Sequence, residues 1–290
     1  MSLLSAALLL VRALPPEPAL LLSRLIVIFY LTLRRDCRQD IAHNYRAIFG
    51  LEKRFFWIKN GWTVGRNIFL MARIGTEFAK KFLDRVAIYR ENNSKGQLMG
   101  QNLQRVMTSF HFGLWEYLPH IFARMEGKET AVSVFVGEQR NPSLAKAILK
   151  IRQGRGVTYN PPRYYFSLKE LVSCWHQKRS NSIRRKTIIG FMLDNTSRGK
   201  QVDVKCSLSD GGDAQNDGEK GWGMLLPVLP FRLSKRLGCG VIPLFCYLKR
   251  DRLCVRVFAS GDESNCFRAL LSMIRERPEE WIFWGKRLNA

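Results

Sequence analysis

The chain is short of acid and of histidine. Asp and Glu number 24 against 47 Lys and Arg, for a net charge of +23 over 290 residues. An excess of that size attracts polyanions: nucleic acid, an anionic membrane surface, phosphorylated substrates or an acidic protein. The four histidines, His43, His111, His120 and His176, are scattered, and the absence of His-Glu-x-x-His removes the commonest zinc-hydrolase pattern. No Cys-x-x-Cys occurs among the seven cysteines, an odd number spread from Cys37 to Cys266. This argues against a zinc ribbon and a disulfide framework, and for a reducing, cytosol-facing location. There is no Gly-x-Ser-x-Gly nucleophile elbow and no P-loop, and Gly154-Arg155-Gly156 is too little for a dinucleotide fingerprint. No internal repeat is present. An uninterrupted apolar run of about 20 residues, the length that crosses a bilayer, is also missing.

What is present is enough apolar material for a large core: 46% hydrophobic and 11% aromatic residues. Residues 1–35 are apolar but broken by Arg12, by Pro15-Pro16-Glu17-Pro18 and by Arg24, and they end in Arg34-Arg35. No basic start and single apolar core mark a secretory signal. The pattern predicts two short helices that lie on or dip into a membrane, with the Arg pair facing anionic headgroups; a spanning helix and core helices of a soluble protein are the alternatives. Cys246 and Cys254 sit in apolar runs and read as buried small hydrophobes.

Residues 36–85 carry apolar side chains at helical spacing, with one helix ending at Gly50. From 86 to 290 the pattern changes. Short β-branched runs at 105–110, 131–136, 186–193, 240–248 and 253–259 read as strands, the first four separated by helical segments such as 141–153 and 166–178. The fold class expected is α/β: a mostly parallel sheet flanked by helices, behind an N-terminal apolar helical anchor. The last two runs are joined by only Lys249–Arg252, so they form an antiparallel hairpin. A Gly-rich stretch, 209–223, reads as a surface insertion, and 179–186, Arg-Ser-Asn-Ser-Ile-Arg-Arg-Lys, as a basic patch.

Two candidate residues stand at strand ends. His111 follows the run at 105–110, and Asp194 follows the run at 186–193. Ligand crevices of open α/β sheets lie beyond the carboxyl ends of strands, so both side chains share one crevice if the strands are near neighbours. Glu116 lies five residues after His111. On one continuous helix the two would point about 140° apart, but a strand-to-helix turn at Gly113 lets them meet. Held by Glu116, the imidazole would keep one tautomer and act as a general base. Spacing alone also admits a histidine that merely fills the core, and an Asp194 that merely makes a turn.

The His-Phe-Gly-Leu-Trp-Glu of 111–116 resembles the His-x4-Asp/Glu motif of the lysophospholipid acyltransferase-like superfamily. In order along the chain, Asn44–Gly50, Gly61–Gly75, Arg140–Val157, Gly190–Gly199, Phe231–Phe245 and Arg277–Leu288 are similar to segments of its lipid A (lauroyl/myristoyl) acyltransferase branch. Leu114 stands where that branch has Asn, Gly137 where it has Arg, and Gly285 where it has His. The resemblance implies an acyltransferase domain over 36–290 on the cytoplasmic face of a bacterial inner membrane. It would move a fatty acyl chain from acyl carrier protein or acyl-CoA to a lipid hydroxyl, with no metal or other cofactor. It implies His111 and Glu116 as catalytic residues. Arg140 would bind the oxyanion or an acceptor phosphate, with Asp194, Arg198 and Arg232 as further substrate contacts. The acceptor stays open among a lipid A precursor, a related glycolipid, a lysophospholipid and glycerol phosphate. A non-catalytic basic protein on membrane or nucleic acid is the other class, although the basic patch lacks the interleaved aromatics of a single-strand binder.

Overall fold

The computed structural model describes residues 3–91, 104–127, 130–137, 142–153, 161–167, 169–171, 173, 186–194, 200–206 and 222–282. The first 85 residues are helical, as their periodicity predicts: α1 Leu3–Ala13, α2 Pro16–Leu33, α3 Arg35–Phe49, α4 Phe56–Ala72 and α5 Glu77–Leu83. Pro15 breaks the first pair, and Pro16 opens α2 at a position that needs no intrahelical N–H. Gly50 closes α3 in the left-handed conformation, at φ 66°. The side chain of Thr76 caps α5 by accepting from the N–H of Ala79.

The two N-terminal helices pack on the rest of the chain. A Cβ on Gly65 would stand 2.5 Å from Arg24 Cα, and one on Gly61 would stand 2.9 Å from the side chains of Ile28 and Leu31. Those glycines let α2 and α4 cross with backbones almost in contact. Arg12 in α1 donates to the carbonyls of Ala72 and Ile74 at 3.0 Å each. Arg73 donates back to Leu14. Residue 35 is thus a helix junction with continuous packing on both sides of it.

The sheet has seven strands among the described residues: β1 Val86–Arg90, β2 Gln104–Ser109, β3 Thr130–Phe135, β4 Arg163–Tyr165, β5 Lys186–Met192, β8 Val241–Lys249 and β9 Arg252–Val257. Their order is β1-β9-β8-β2-β5-β3-β4, and every neighbouring pair is parallel except β8 and β9. All five expected strands form, and the last two make the expected hairpin. Its turn residues, Arg250 and Asp251, sit at φ 48° and 57°, the sign that lets a tight turn follow the strands' twist.

Two antiparallel strands off the main sheet, β6 Gln201–Cys206 and β7 Trp222–Pro227, were not foreseen, nor were β1 and β4. Of the Gly-rich stretch, 209–221 lies outside the described residues, as does 179–185 of the basic patch. Both sheet faces are covered. Val106, Ile189 and Phe245 meet α3 and two later helices, α8 Leu229–Leu237 and α9 Glu263–Glu276. Met107, Ile188 and Val255 meet α5 and α6, Leu118–Met125. Cys246 and Cys254 are buried free thiols, as expected.

Candidate active site

β2 and β5 are adjacent and parallel, with Ser109 opposite Met192. The ladder continues past the strands, because Leu193 N–H donates to Ser109 O at 2.8 Å. His111 and Asp194 each stand two residues beyond that last paired level, so the register alone brings them side by side. Asp194 holds His111 twice. Its Oδ2 accepts the main-chain N–H of His111 at 2.8 Å, and its Oδ1 accepts the ring Nδ1–H at 2.7 Å. The Asp194 side chain is 2% exposed and that of His111 19%, so the acid is sealed while the imidazole reaches solvent. Trp115 meets the imidazole edge to face, with ring centres 4.8 Å apart.

The turn bearing His111 is built from committed backbone. Gly113 sits at φ 59°, and a Cβ there would stand 2.2 Å from Cys246 O, so only glycine fits. The N–H groups of Phe112, Gly113 and Leu114 donate to the carbonyls of Phe110, Glu280 and Cys246, and His111 O accepts from Ile282 N–H. The segment Pro278–Ile282 therefore clamps the turn. It is held in place by α4: Asn60 donates to the carbonyls of Glu279 and Trp281 at 3.0 and 2.9 Å, and Asn67 and Arg66 bind the Glu280 carboxylate at 2.8 and 2.7 Å. The N–H groups of Phe112 and Gly113 are used up in these bonds and are not free to bind an oxyanion.

Glu116 takes a different partner from the one expected. It lies in the 3-10 turn Trp115–Tyr117, just ahead of α6. Its carboxylate accepts from Arg152 Nε at 3.0 and 2.9 Å, from Arg152 Nη2, and from Trp115 Nε1 at 3.2 Å. It makes no hydrogen bond to His111; the turn carries it toward the end of α7, Pro142–Gln153. Burial alone would raise the Glu116 pKa, but the charge and hydrogen bonds of Arg152, with a smaller contribution from His111, hold it below the ordinary carboxylate value. His120, buried beside this pair, is pushed down to about 4 by burial, against the opposing pull of Glu116. It is a neutral core histidine.

Under α6, against Glu116 and Arg152, lies a small apolar pocket of about 60 Å³. Met107, Phe122, Val134, Ile188 and Gly190 line it, with Trp115, Glu116 and Arg152 as its polar rim.

Of the other expected contacts, Arg140 and Arg198 lie outside the described residues. Arg232 is exposed on α8, whose buried residues Phe231 and Leu233 pack on the sheet face away from the pocket, so it is not brought to His111. Asp194, expected as a substrate contact, is instead the partner of His111. Sequence reading missed Arg152, although a signal existed: it continues the row Leu144, Ile148 at i+4 on an otherwise apolar helix face. Among the described residues no group of three His, Cys, Asp or Glu side chains is placed to hold a metal. A scan against models of known protein families finds no match for the chain, and a search of curated proteins also finds none.

Proposed function

We propose that the protein is a membrane-associated acyltransferase. It moves a fatty acyl chain from an acyl thioester, on acyl carrier protein or coenzyme A, to a hydroxyl of a lipid A precursor or related glycolipid. The observation that carries this reading is the His111–Asp194 pair at the ends of two neighbouring parallel strands, with Trp115, which lines the apolar pocket, packed edge to face on the imidazole. With Nδ1–H held by the carboxylate, Nε2 is the nitrogen that takes the acceptor's hydroxyl proton. The freed oxygen attacks the thioester carbonyl, and the tetrahedral intermediate expels a thiolate, which recovers the proton from the imidazolium. Asp194 stays ionised throughout and stabilises that imidazolium. The acyl tail lies in the apolar pocket.

The oxyanion needs a side-chain donor, because the nearby main-chain donors are committed. Arg152 lines the pocket and is held rigidly by Glu116 through Nε and Nη2. Arg140 remains the second candidate. Glu116 thus serves the reaction through Arg152 rather than through His111. The basic surface suits both anionic donors and a cytoplasmic inner-membrane location. The test is thiol release from an acyl thioester that depends on a hydroxyl lipid, with the product identified by mass. His111→Ala should lower turnover about 10²–10⁴-fold with the fold intact. Transfer that survives the substitution within about threefold is incompatible with a base of that worth.

A further inference from the structure

The apolar surface of this protein does not stop at its first 35 residues. On α2, Leu21, Leu25, Phe29 and Leu33 recur every fourth residue and are all exposed, Leu33 and Phe29 by about two thirds (67% and 65%). The opposite face of α2, through Ser23, Val27 and Leu31, is turned onto the protein. At the start of α4, its N-cap Phe55 with Ile58 and Trp62 forms a second exposed stripe at i, i+3, i+7 spacing, Phe55 being 64% exposed. The stripes adjoin. Gly61 lies against Ile28 and Leu31 and Gly65 against Arg24, so the helices run antiparallel and the start of α4 lies beside the end of α2. Arg24 stacks over Trp62 at 4.6 Å, and Arg38 over Trp57 at 5.5 Å, closing the seam.

Charge gathers where the stripes converge. Arg34, Arg35, Lys53, Arg54 and Lys59 are all exposed there and outnumber Asp36 and Glu52. An apolar face rimmed by cations on one side fits the boundary between anionic headgroups and acyl chains.

Crossing the bilayer does not fit. By length and composition alone the 18 residues of α2, about 27 Å, could cross a hydrocarbon core of about 30 Å, so it is the packing of α2 that decides. One face of α2 is locked to α4 at backbone distance, and α4 is locked to Glu279–Trp281 by Asn60 and Asn67. Arg12 ties α1 to the far end of α4. For α2 to span, α4 would have to enter hydrocarbon with its buried polar contacts.

We infer that the protein docks on anionic bilayers as a monotopic protein, through one continuous face made jointly by α2 and the start of α4, with α2 lying in the interface. This stands independently of the reaction proposed above. The experiment adds the full chain, with an N-terminal epitope, to sealed vesicles of phosphatidylcholine with or without phosphatidylglycerol. Binding should be stronger with phosphatidylglycerol and fall with salt, and protease should remove the epitope as readily as it cuts the rest of the chain. Phe55→Glu and Ile58→Glu, both outside the N-terminal segment, should each lower partitioning about tenfold, with Phe55→Leu close to normal. Lys53→Glu with Arg54→Glu should weaken only the phosphatidylglycerol-dependent part, by about fivefold per charge. Circular dichroism should be unchanged, since these side chains are exposed. Three results would each overturn the inference: an epitope protected inside the vesicles, vesicle binding indifferent to the α4 substitutions, or a lipid-free dimer that those substitutions break while vesicle binding persists.

Discussion

Asp194→Asn separates the two carboxylates near His111. The amide oxygen of Asn can still accept the main-chain N–H of His111, so the turn keeps that bond. Its NH2, facing Nδ1 in place of Oδ1, can only donate. Nδ1 must then accept, the ring proton moves to Nε2, and the nitrogen that should take the substrate's proton already carries one. The imidazolium of the transition state also loses its counter-charge. In hydrolase triads built on the same logic this exchange costs about 10⁴ in kcat. A loss of about 10²–10⁴, or about 3–5 kcal/mol of barrier, is expected here.

The loss in stability should be smaller, about 1–3 kcal/mol, because one charge-assisted hydrogen bond is weakened. Glu116→Gln should do the reverse. It leaves the Arg152 guanidinium, 13% exposed, without its counter-charge. Breaking a buried pair costs about 3–5 kcal/mol, and the residual exposure of both groups puts this one at the lower end. Initial rates of thiol release and thermal melts on the same preparations resolve the two. An Asp194→Asn variant whose transfer rate stays within about threefold of the parent would refute the proposed assignment.

Gly113→Ala should cost more than the about 1–3 kcal/mol of left-handed strain, because its Cβ collides with Cys246 O at 2.2 Å; urea titration with a parallel rate assay should show activity falling before the fold does. Gly190→Leu should shift thioester preference toward shorter chains while short-chain turnover survives. Gly190 lines the pocket, and its nearest neighbours to an added Cβ are Val134 methyls at 3.8 Å, so competition between donors of different length reads the change directly. His120 should make the fold acid-sensitive. With a folded pKa of about 4 against an ordinary 6.5, its contribution is complete above about pH 6.5 and is lost as pH falls toward 4, by up to about 3 kcal/mol. His120→Leu should flatten the stability–pH curve in that window, while the depressed Glu116 acts only at lower pH, below its ordinary carboxylate value.

The strands were legible because β-branched runs alternate with longer helical segments, and the helices because their apolar period is 3.6. β1 and β4 escaped notice because five and three half-exposed residues carry too little pattern. His111 and Asp194 could be marked separately as strand-end residues. Their pairing depends on β5 lying beside β2 although β3 and β4 intervene in the chain, and sheet order is not written in any local pattern. Glu116 looked like the partner because it is near in sequence, but a 3-10 turn aims it at Arg152. Motif spacing restricts which residues can meet; backbone geometry at the turn decides which do.

The clamp at Pro278–Ile282 also sets a time order. During synthesis, α4 and the His111 turn emerge well before the segment whose carbonyls and N–H groups hold that turn. The helical layer and much of the sheet can collapse first. Asp194 can already hold the imidazole, but the turn that bears it lacks its bonds to Glu280 and Ile282 until that segment docks. On the function and docking proposed above, a nascent chain would be shaped for lipid before its catalytic turn is secured. Proteolytic nicking near Arg277 should return a mature molecule to that same loosened turn, lowering the proposed transfer more than vesicle binding.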